Sequence, residues 1–482
     1  MTPKIILAEQ YPQVVFGTSG VRALVCDLTP QTISAYIYAF MQRMQHTHAI
    51  TNKKSIAVGM DLRPSSPHIA AAVSNALLNL GYQTTFLGSL PTPALALHCL
   101  SKGIPGIIVT GSHIPFDRNG LKFYSPDGEI LKEDEQAIST CVIPKQWLDT
   151  LKLSYNLSII DKAASQAYIQ RYVTRFGKIL VGWRIGLYEH SAAGRDLTKA
   201  VLHKLGATVI SLGRSDKFVP IDTEAVNDDD LHQAEYWCSQ HHLDALVSTD
   251  GDGDRPLVFD ANGQFIRGDI LGLLCAKYLG LTTLAIPINC TTAIEKTQAF
   301  KNILRTRIGS PYVVQAMNNV QNQDEFVGGF EANGGFLLRT NLPGLNSLPT
   351  RDALLPIVTV LGNAARQNLT LSMMLEQLPA RYTYSARLKD TPFSYSKSLL
   401  DRLLSDHEYI KNLFPEKFGL SSIDITDGVR LTFDDEDIVH LRPSGNAPEL
   451  RCYTETSSLE SAKLLCITTL SHIQSQLNHV LD

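Results

Sequence analysis

Residues 243–256 read LDALVSTDGDGDRP, an apolar run that ends in Asp250, Asp252 and Asp254 with Gly251 and Gly253 between them. In an extended segment, residues i, i+2 and i+4 face one way, so this spacing predicts converging carboxylates. Converging anions repel unless a cation sits among them. An oxygen-only ligand set favours Mg²⁺, Ca²⁺ or Mn²⁺. An EF-hand loop would need glycine at its sixth position and glutamate at its twelfth. Those places hold Arg255 and Ala261, which excludes it. A solvated acidic turn is the plain alternative, but active sites favour the carboxyl ends of parallel strands.

A second apolar run, in PGIIVTGSHIPFDRNGLKFY (105–124), ends in a polar loop with Ser112 and His113. It is not the GxSxG elbow of hydrolases. Adjacent Ser and His cannot easily face each other as nucleophile and base. A serine here suits a phosphate carrier, with Lys122 or His113 for proton transfer and charge neutralisation. In LRPSGNAPELRCYTE (441–455), Arg442, Ser444, Gly445, Asn446 and Arg451 surround a turn. Backbone N–H groups in such turns form anion nests, and arginine grips phosphate bidentately. In VGGFEANGGFLL (327–338), Glu331 and Asn333 lie between glycines and suit sugar hydroxyls. In VVFGTSGVRAL (14–24), Arg22 follows a Gly-Thr-Ser-Gly turn and suits another phosphate. Each of these four loops also reads as an ordinary turn. Neither GxxxxGK[ST] nor GxGxxG occurs, so nucleotide hydrolysis and dinucleotide binding lose their usual support.

Loops of this kind need strands to carry them. Around Ile56, Ile185 and Leu284 the chain repeats one grammar: apolar strand, small or polar loop, then a helix with apolar residues at helical spacing. That is βαβ language and predicts α/β units with mixed, mostly parallel sheets covered by helices. The last hundred or so residues differ. ARYTYSARLKD is strand-like, DGVRLTFDDEDIVHLRPS predicts a strand pair turning at DDED, and Ser457 with Glu460 predicts a capping box before a helix. The expected architecture is three tandem α/β domains and a smaller C-terminal α+β domain. Boundaries near 150, 265 and 380 give segments 1–150, 151–265, 266–380 and 381–482.

Composition excludes other classes. Of 482 residues, 44% are hydrophobic and 19% charged, enough apolar material for several cores. Lys and Arg number 43 against 47 Asp and Glu, a net charge of −4, so no global basic field points to nucleic acid. No apolar run approaches the roughly 20 residues of a membrane-spanning helix. The N-terminal MTPKIILAEQ lacks the apolar core of a secretory signal. The 8 cysteines are scattered without a CxxC pair, which predicts buried, reduced thiols in a cytoplasmic protein.

The five loops, in this order, resemble the α-D-phosphohexomutase family, the bacterial phosphomannomutases and phosphoglucomutases. GTSGVR, T-x-SH-x-P, DGDGDR, E-x-N-G and RPSG…P-E-x-R carry the resemblance over nearly the whole chain. It implies four domains around a central cleft. It implies a phosphoserine at Ser112 and Mg²⁺ held by Asp250, Asp252, Asp254 and a phosphate oxygen on Ser112. Arg22 and Arg255 would steady the reacting phosphates, and Lys122 and His113 would move protons. Glu331 and Asn333 would contact sugar hydroxyls. Arg442, Ser444, Gly445, Asn446 and Arg451 would hold the non-reacting phosphate. Phosphoserine would phosphorylate a hexose monophosphate, and the hexose 1,6-bisphosphate would return its other phosphate to Ser112.

Some positions depart from the family pattern. Gly111 and Ile114 replace Ala and Asn of TASHNP. Phe330 and Asn333 replace Gly and Ser of the sugar loop, and Asn446 and Ala447 interrupt RPSGTEP. The expected activity is phosphomannomutase, with phosphoglucomutase activity as a second reading, in a monomer or homodimer. The alternatives are a phosphoglucosamine mutase, a non-catalytic sugar-phosphate binder and a Mg²⁺-dependent phosphatase.

Overall fold

The computed structural model describes residues 4–17, 20–51, 55–112, 114–152, 156–322, 324–417, 419–444 and 448–481. The chain forms two units, Met1–Leu284 with Gly309–Leu375, and Ala285–Ile308 with Glu376–Asp482.

In the first unit, one sheet has the strand order Val15–Phe16, Val21–Leu24, Arg118–Ser125, Gly106–Val109, Ser55–Met60, Gln83–Ser89. Ser55–Met60 runs parallel to Gln83–Ser89 and to Gly106–Val109. The crossovers contain helices Ser66–Asn79 and Thr92–Lys102, each with proline in its first turn. Proline is tolerated there because that N–H has no helical partner. Ile69, Ala70, Val73, Ala76 and Leu77 recur at helical spacing and are all buried. Arg118–Ser125 then returns antiparallel to Gly106–Val109. Residues 110–112 and 114–117 therefore lie beyond the carboxyl end of a parallel strand, and Lys122 comes to lie opposite Ile108.

A second sheet repeats the plan: Thr208–Leu212, Arg184–Tyr188 and Ala245–Thr249 are parallel, then Pro256–Phe259 and Phe265–Ile266 are antiparallel. Thr249 pairs with Pro256, so the acidic run 250–255 is a hairpin turn. This corrects the extended geometry expected from its alternation. Gly253 takes φ +71°, and the Asp250 N–H donates to the Arg255 carbonyl at 3.0 Å. The turn, not strand alternation, brings the carboxylates together. A third set, Val327–Phe330, Phe336–Leu338 and Leu348–Asp352, is antiparallel, with residues 331–335 as its first hairpin turn. The sheets are thus mixed, with parallel pairs at the βαβ kernels of the first two and antiparallel strands extending them.

The second unit carries an antiparallel sheet ordered Tyr382–Leu388, Leu450–Thr456, Ile438–Pro443, Val429–Phe433, Leu420–Asp424. Its core includes Leu399, Leu403, Leu431, Val439, Leu441 and Ile473. Val429–Phe433 and Ile438–Pro443 flank the acidic turn, as the sequence predicts. The final helix, Leu459–Leu481, is capped by Ser458, whose Oγ accepts the Ser461 N–H at 3.1 Å. That is one residue later than the Ser457 expected from the capping-box spacing. Among the described residues no helix is long and apolar enough to cross a membrane. All the cysteines are free thiols, but Cys26 is exposed and Cys141 half-buried, so burial is not general.

Two histidines are wholly enclosed, with Nε2 of His190 2.8 Å from the Thr249 carbonyl and Nε2 of His440 2.6 Å from that of Asp427. Burial pushes each down to about 4. Unfolded histidine binds its proton near 6.5, so this stability is complete above that pH and drains away as pH falls toward 4. Roughly 3 kcal/mol per histidine is expected to be lost. Urea unfolding between pH 7 and 4 measures it, and a flat profile would refute neutral burial.

Candidate active site

The loop that carries Ser112 is built around a buried arginine. Arg63 is 1% exposed. Its Nη1 donates to the carbonyls of Pro115 (2.7 Å) and Arg118 (3.0 Å), and its Nη2 to those of Ser112 (2.9 Å) and Ile114 (2.6 Å). Asp61 holds the guanidinium from behind at 3.3 Å, and the Phe218 ring lies 4.0 Å from it. A loop that turns four carbonyls toward one cation needs room for it, and Gly111 supplies that room. A Cβ on Gly111 would lie 2.5 Å from Arg63 Cζ. Gly111→Ala is therefore expected to cost about 1–3 kcal/mol and to displace the loop, which thermal melts would show.

Ser112 sits in this cradle at φ +54°, a left-handed conformation that costs a non-glycine residue about 1 kcal/mol or more. Its N–H donates to Thr110 Oγ1 at 2.8 Å, and its Oγ donates to Asp250 Oδ2 at 2.6 Å. Asp250, Asp252 and Asp254 have no exposed surface, and one oxygen from each lies within 4.8 Å of the others. Asp250 Oδ1 accepts the N–H groups of Asp254 (3.1 Å) and Arg255 (3.2 Å), which closes the turn. Gly251 lets the turn approach the serine loop, since a Cβ there would lie 2.7 Å from the Ser112 carbonyl.

The neighbouring cations divide the triad. Lys122 Nζ donates to Asp252 Oδ2 at 2.6 Å and to Asp254 Oδ2 at 2.7 Å. Thr92 Oγ1 donates to Asp252 Oδ2 at 2.6 Å. Burial pushes Asp250 up, and the Asp252 and Asp254 charges push it the same way, well above the carboxylate range. Burial also pushes Asp252 up, but the Lys122 ammonium together with hydrogen bonds from Lys122 and Thr92 outweighs it and holds that carboxyl low. For Asp254, burial is outweighed chiefly by the Arg351 guanidinium. Burial and then the nearby Arg255 charge push Arg22 down to about 10.

The triad fits a hard divalent cation. Its donors are all carboxylate oxygens, the ligand class of Mg²⁺. Asp252 Oδ1 and Asp254 Oδ1 are buried with no hydrogen-bond partner among the described residues. Buried anionic oxygens in that state are costly without a cation.

The hairpin turn at 331–335 adds another carboxylate. The Gly334 N–H donates to the Glu331 carbonyl at 2.9 Å, and the Gly335 N–H to Asn333 Oδ1 at 3.0 Å. Asn333 thus shapes the turn, while Glu331 Oε2 accepts from Arg351 Nη1 at 2.7 Å. Arg351 and Arg63 were both missed from sequence. The available signals were charged residues inside otherwise apolar or small stretches, at MDLRPS and LPTRDALL. The structure thus brings Ser112, Lys122, Asp250, Asp252, Asp254, Arg255 and Glu331 into one buried network. His113 lies outside the described residues.

The second unit holds Arg442, Ser444 and Arg451. Arg442 and Arg451 pair directly across adjacent strands, and Arg387 pairs with Arg451 on the far side. Like charges in register destabilise a sheet unless an anion or carboxylate offsets them. Arg442 Nε lies 2.8 Å from Asp427 Oδ2, and Arg387 Nη1 lies 3.4 Å from Glu449 Oε2. The Ser444 N–H donates to the Glu449 carbonyl at 2.8 Å. Gly445 and Asn446 lie outside the described residues.

A strained serine bonded to one of three buried carboxylates, with a lysine among them, equips a protein to carry and transfer a phosphoryl group. Comparisons agree with that class. Residues 13–147, 167–263 and 267–382 match the family descriptions "Phosphoglucomutase/phosphomannomutase, alpha/beta/alpha domain I", "domain II" and "domain III" respectively. A phosphomannomutase of Salmonella muenchen is 48% identical over 472 residues, covering 96% of each chain. A phosphomannomutase of Sinorhizobium fredii is 39% identical over 476 residues, covering 96% of this chain and 99% of its own. A phosphoglucomutase/phosphomannomutase family protein of Burkholderia thailandensis has the same fold, with a TM-score of 0.75 at 18% identity, covering 95% of this chain and 97% of its own. The chain belongs to the phosphoglucomutase/phosphomannomutase family.

Proposed function

We propose that the chain is a phosphomannomutase that interconverts mannose 1-phosphate and mannose 6-phosphate and also acts on glucose phosphates. The observation that carries the reaction type is the 2.6 Å bond from Ser112 Oγ to Asp250 within the buried triad. The sugar is supported by two relatives named phosphomannomutase that match nearly end to end.

In this reading Ser112 carries the phosphoryl group and gives it to the free hydroxyl of a hexose monophosphate. The serine oxygen leaves, the hexose oxygen takes its place on phosphorus, and one proton moves from the hydroxyl to the site. The 1,6-bisphosphate then turns over and phosphorylates Ser112 through its other phosphate. It also serves as the activator that first loads the serine. Asp250, Asp252 and Asp254 would hold Mg²⁺, with a phosphate oxygen on Ser112 as a further ligand; the ion supplies charge neutralisation for the transferring group. Arg22 and Arg255 steady the same group. Lys122 and His113 are the proton-transfer candidates.

Phosphoryl transfer leaves the protein mainly positioning and electrostatics to supply, and the Arg63 cradle supplies positioning. Glu331 and Asn333 read the hexose. Arg442, Ser444, Gly445, Asn446 and Arg451 bind the phosphate that is not reacting, and binding there orients the sugar. The reading assigns one loop set to each of the segments 1–150, 151–265, 266–380 and 381–482. It also places the enzyme in the cytoplasm, where free thiols persist, as a monomer or homodimer.

The test is turnover of mannose 1-phosphate, glucose 1-phosphate and glucosamine 6-phosphate with Mg²⁺ and a hexose 1,6-bisphosphate. Mannose 1-phosphate is expected to turn over fastest. A preference for glucosamine 6-phosphate would replace the sugar assignment. Steady release of inorganic phosphate without isomerisation would replace the reaction type.

A further inference from the structure

Arg351 connects two loops that lie far apart in sequence. It stands in the strand Leu348–Asp352 and is 1% exposed. Its Nε and Nη2 donate to Asp254 Oδ2 at 3.1 and 2.8 Å, and its Nη1 donates to Glu331 Oε2 at 2.7 Å. One planar guanidinium therefore spans the acidic turn and the glycine turn. Gly335 makes way for its stem, since a Cβ there would lie 2.7 Å from Arg351 Cδ.

The next residue anchors the strand end. Asp352 accepts hydrogen bonds from the Tyr168 and Tyr172 hydroxyls and from the Leu354 N–H. Arg351 is thus fixed by its backbone and by both ends of its fork. Only arginine offers donors in that fixed geometry; lysine would place a single point charge.

We propose that Arg351 is a positioning residue that sets Glu331 against the acidic turn, so that recognition of the hexose depends on Arg351. This rests on the reading of Glu331 as an acceptor of sugar hydroxyls. The bond to Arg351 engages Oε2, which fixes the direction in which Oε1 is presented. A carboxylate so held accepts and does not donate, which suits hydroxyls.

A double-mutant cycle tests the inference. KM and kcat for mannose 1-phosphate are measured for wild type, Glu331→Gln, Arg351→Lys and the double variant, with thermal melts and Mg²⁺ titrations of each. Arg351→Lys is the variant used because it keeps a cation among the buried carboxylates. Arg351→Lys is expected to raise KM about tenfold, the scale of one charge-assisted hydrogen bond, with a smaller change in kcat. In the Glu331→Gln background the same change is expected to raise KM less than about twofold.

If Glu331→Gln leaves KM unchanged, the sugar reading of Glu331 fails and the proposal falls with it. If Glu331→Gln raises KM but Arg351→Lys acts equally in both backgrounds, or not at all, the proposal alone is overturned. Loss of Mg²⁺ affinity and kcat at constant KM would also overturn it, confining Arg351 to the acidic turn.

Discussion

Ser112→Ala is expected to abolish isomerisation, with kcat falling about 10⁴-fold or more, the scale on which loss of a nucleophile acts. The hydroxyl it removes donates to Asp250 at 2.6 Å, while Arg63 holds the backbone carbonyl of the same residue at 2.9 Å. The stability cost is modest, on the order of 1 kcal/mol for one lost hydrogen bond to a buried carboxyl. The check is peptide mass mapping of the segment containing residue 112 after incubation with glucose 1,6-bisphosphate. Wild type is expected to carry a phosphate there and to exchange it with added hexose monophosphate; Ser112→Ala is expected to carry none. Activity retained by the variant, or phosphate on another residue, would remove Ser112 from the reaction.

Lys122→Met is expected to produce the largest change in stability. The Lys122 ammonium is buried between Asp252 and Asp254, and its own charge is held on by them against the pull of burial. Breaking a buried pair by removing one partner costs about 3–5 kcal/mol, because it strands the other charge. Here two carboxylates are stranded. In EDTA the variant is expected to melt well below wild type. Mg²⁺ is expected to recover much of that loss, because a ligand that binds only the folded state stabilises it by mass action. The Mg²⁺-induced rise should be larger for the variant than for wild type, whose lysine already neutralises part of the cluster. Equal melting of variant and wild type in EDTA would show that the lysine does not stabilise the triad. A variant unresponsive to Mg²⁺ would refute the triad as its binding site.

Much of this site is visible in the sequence because its loops are local. The Asp-Gly alternation, the Thr-Gly-Ser-His run and the Glu-x-Asn-Gly turn each place their side chains within a few residues. The alternation led to the right convergence by the wrong geometry. Period-2 reasoning holds for extended chain, whereas Gly253 at φ +71° folds the segment into a hairpin turn between antiparallel strands. The Ser457 cap fell one residue short because Ser458 has the same hydroxyl and reaches the Ser461 N–H. Two serines in succession give a propensity argument nothing to choose between.

What the sequence determined by itself was the chemistry of the loops, their order along the chain, and the strand-loop-helix grammar that sets each loop at a strand end. Composition and periodicity suffice for that, because both act over a few residues. The tertiary structure decided which charges meet. Lys122 and Asp252 are 130 residues apart, Arg351 and Asp254 are 97, and Arg63 and Ser112 are 49. No local pattern encodes such pairs. They arise because parallel strands end side by side and an antiparallel return strand brings Lys122 to the same region. Arginine and lysine at isolated positions look like surface residues until the fold buries them, and once buried each must find an anion. That requirement assembled the Arg63 cradle and the Arg351 bridge.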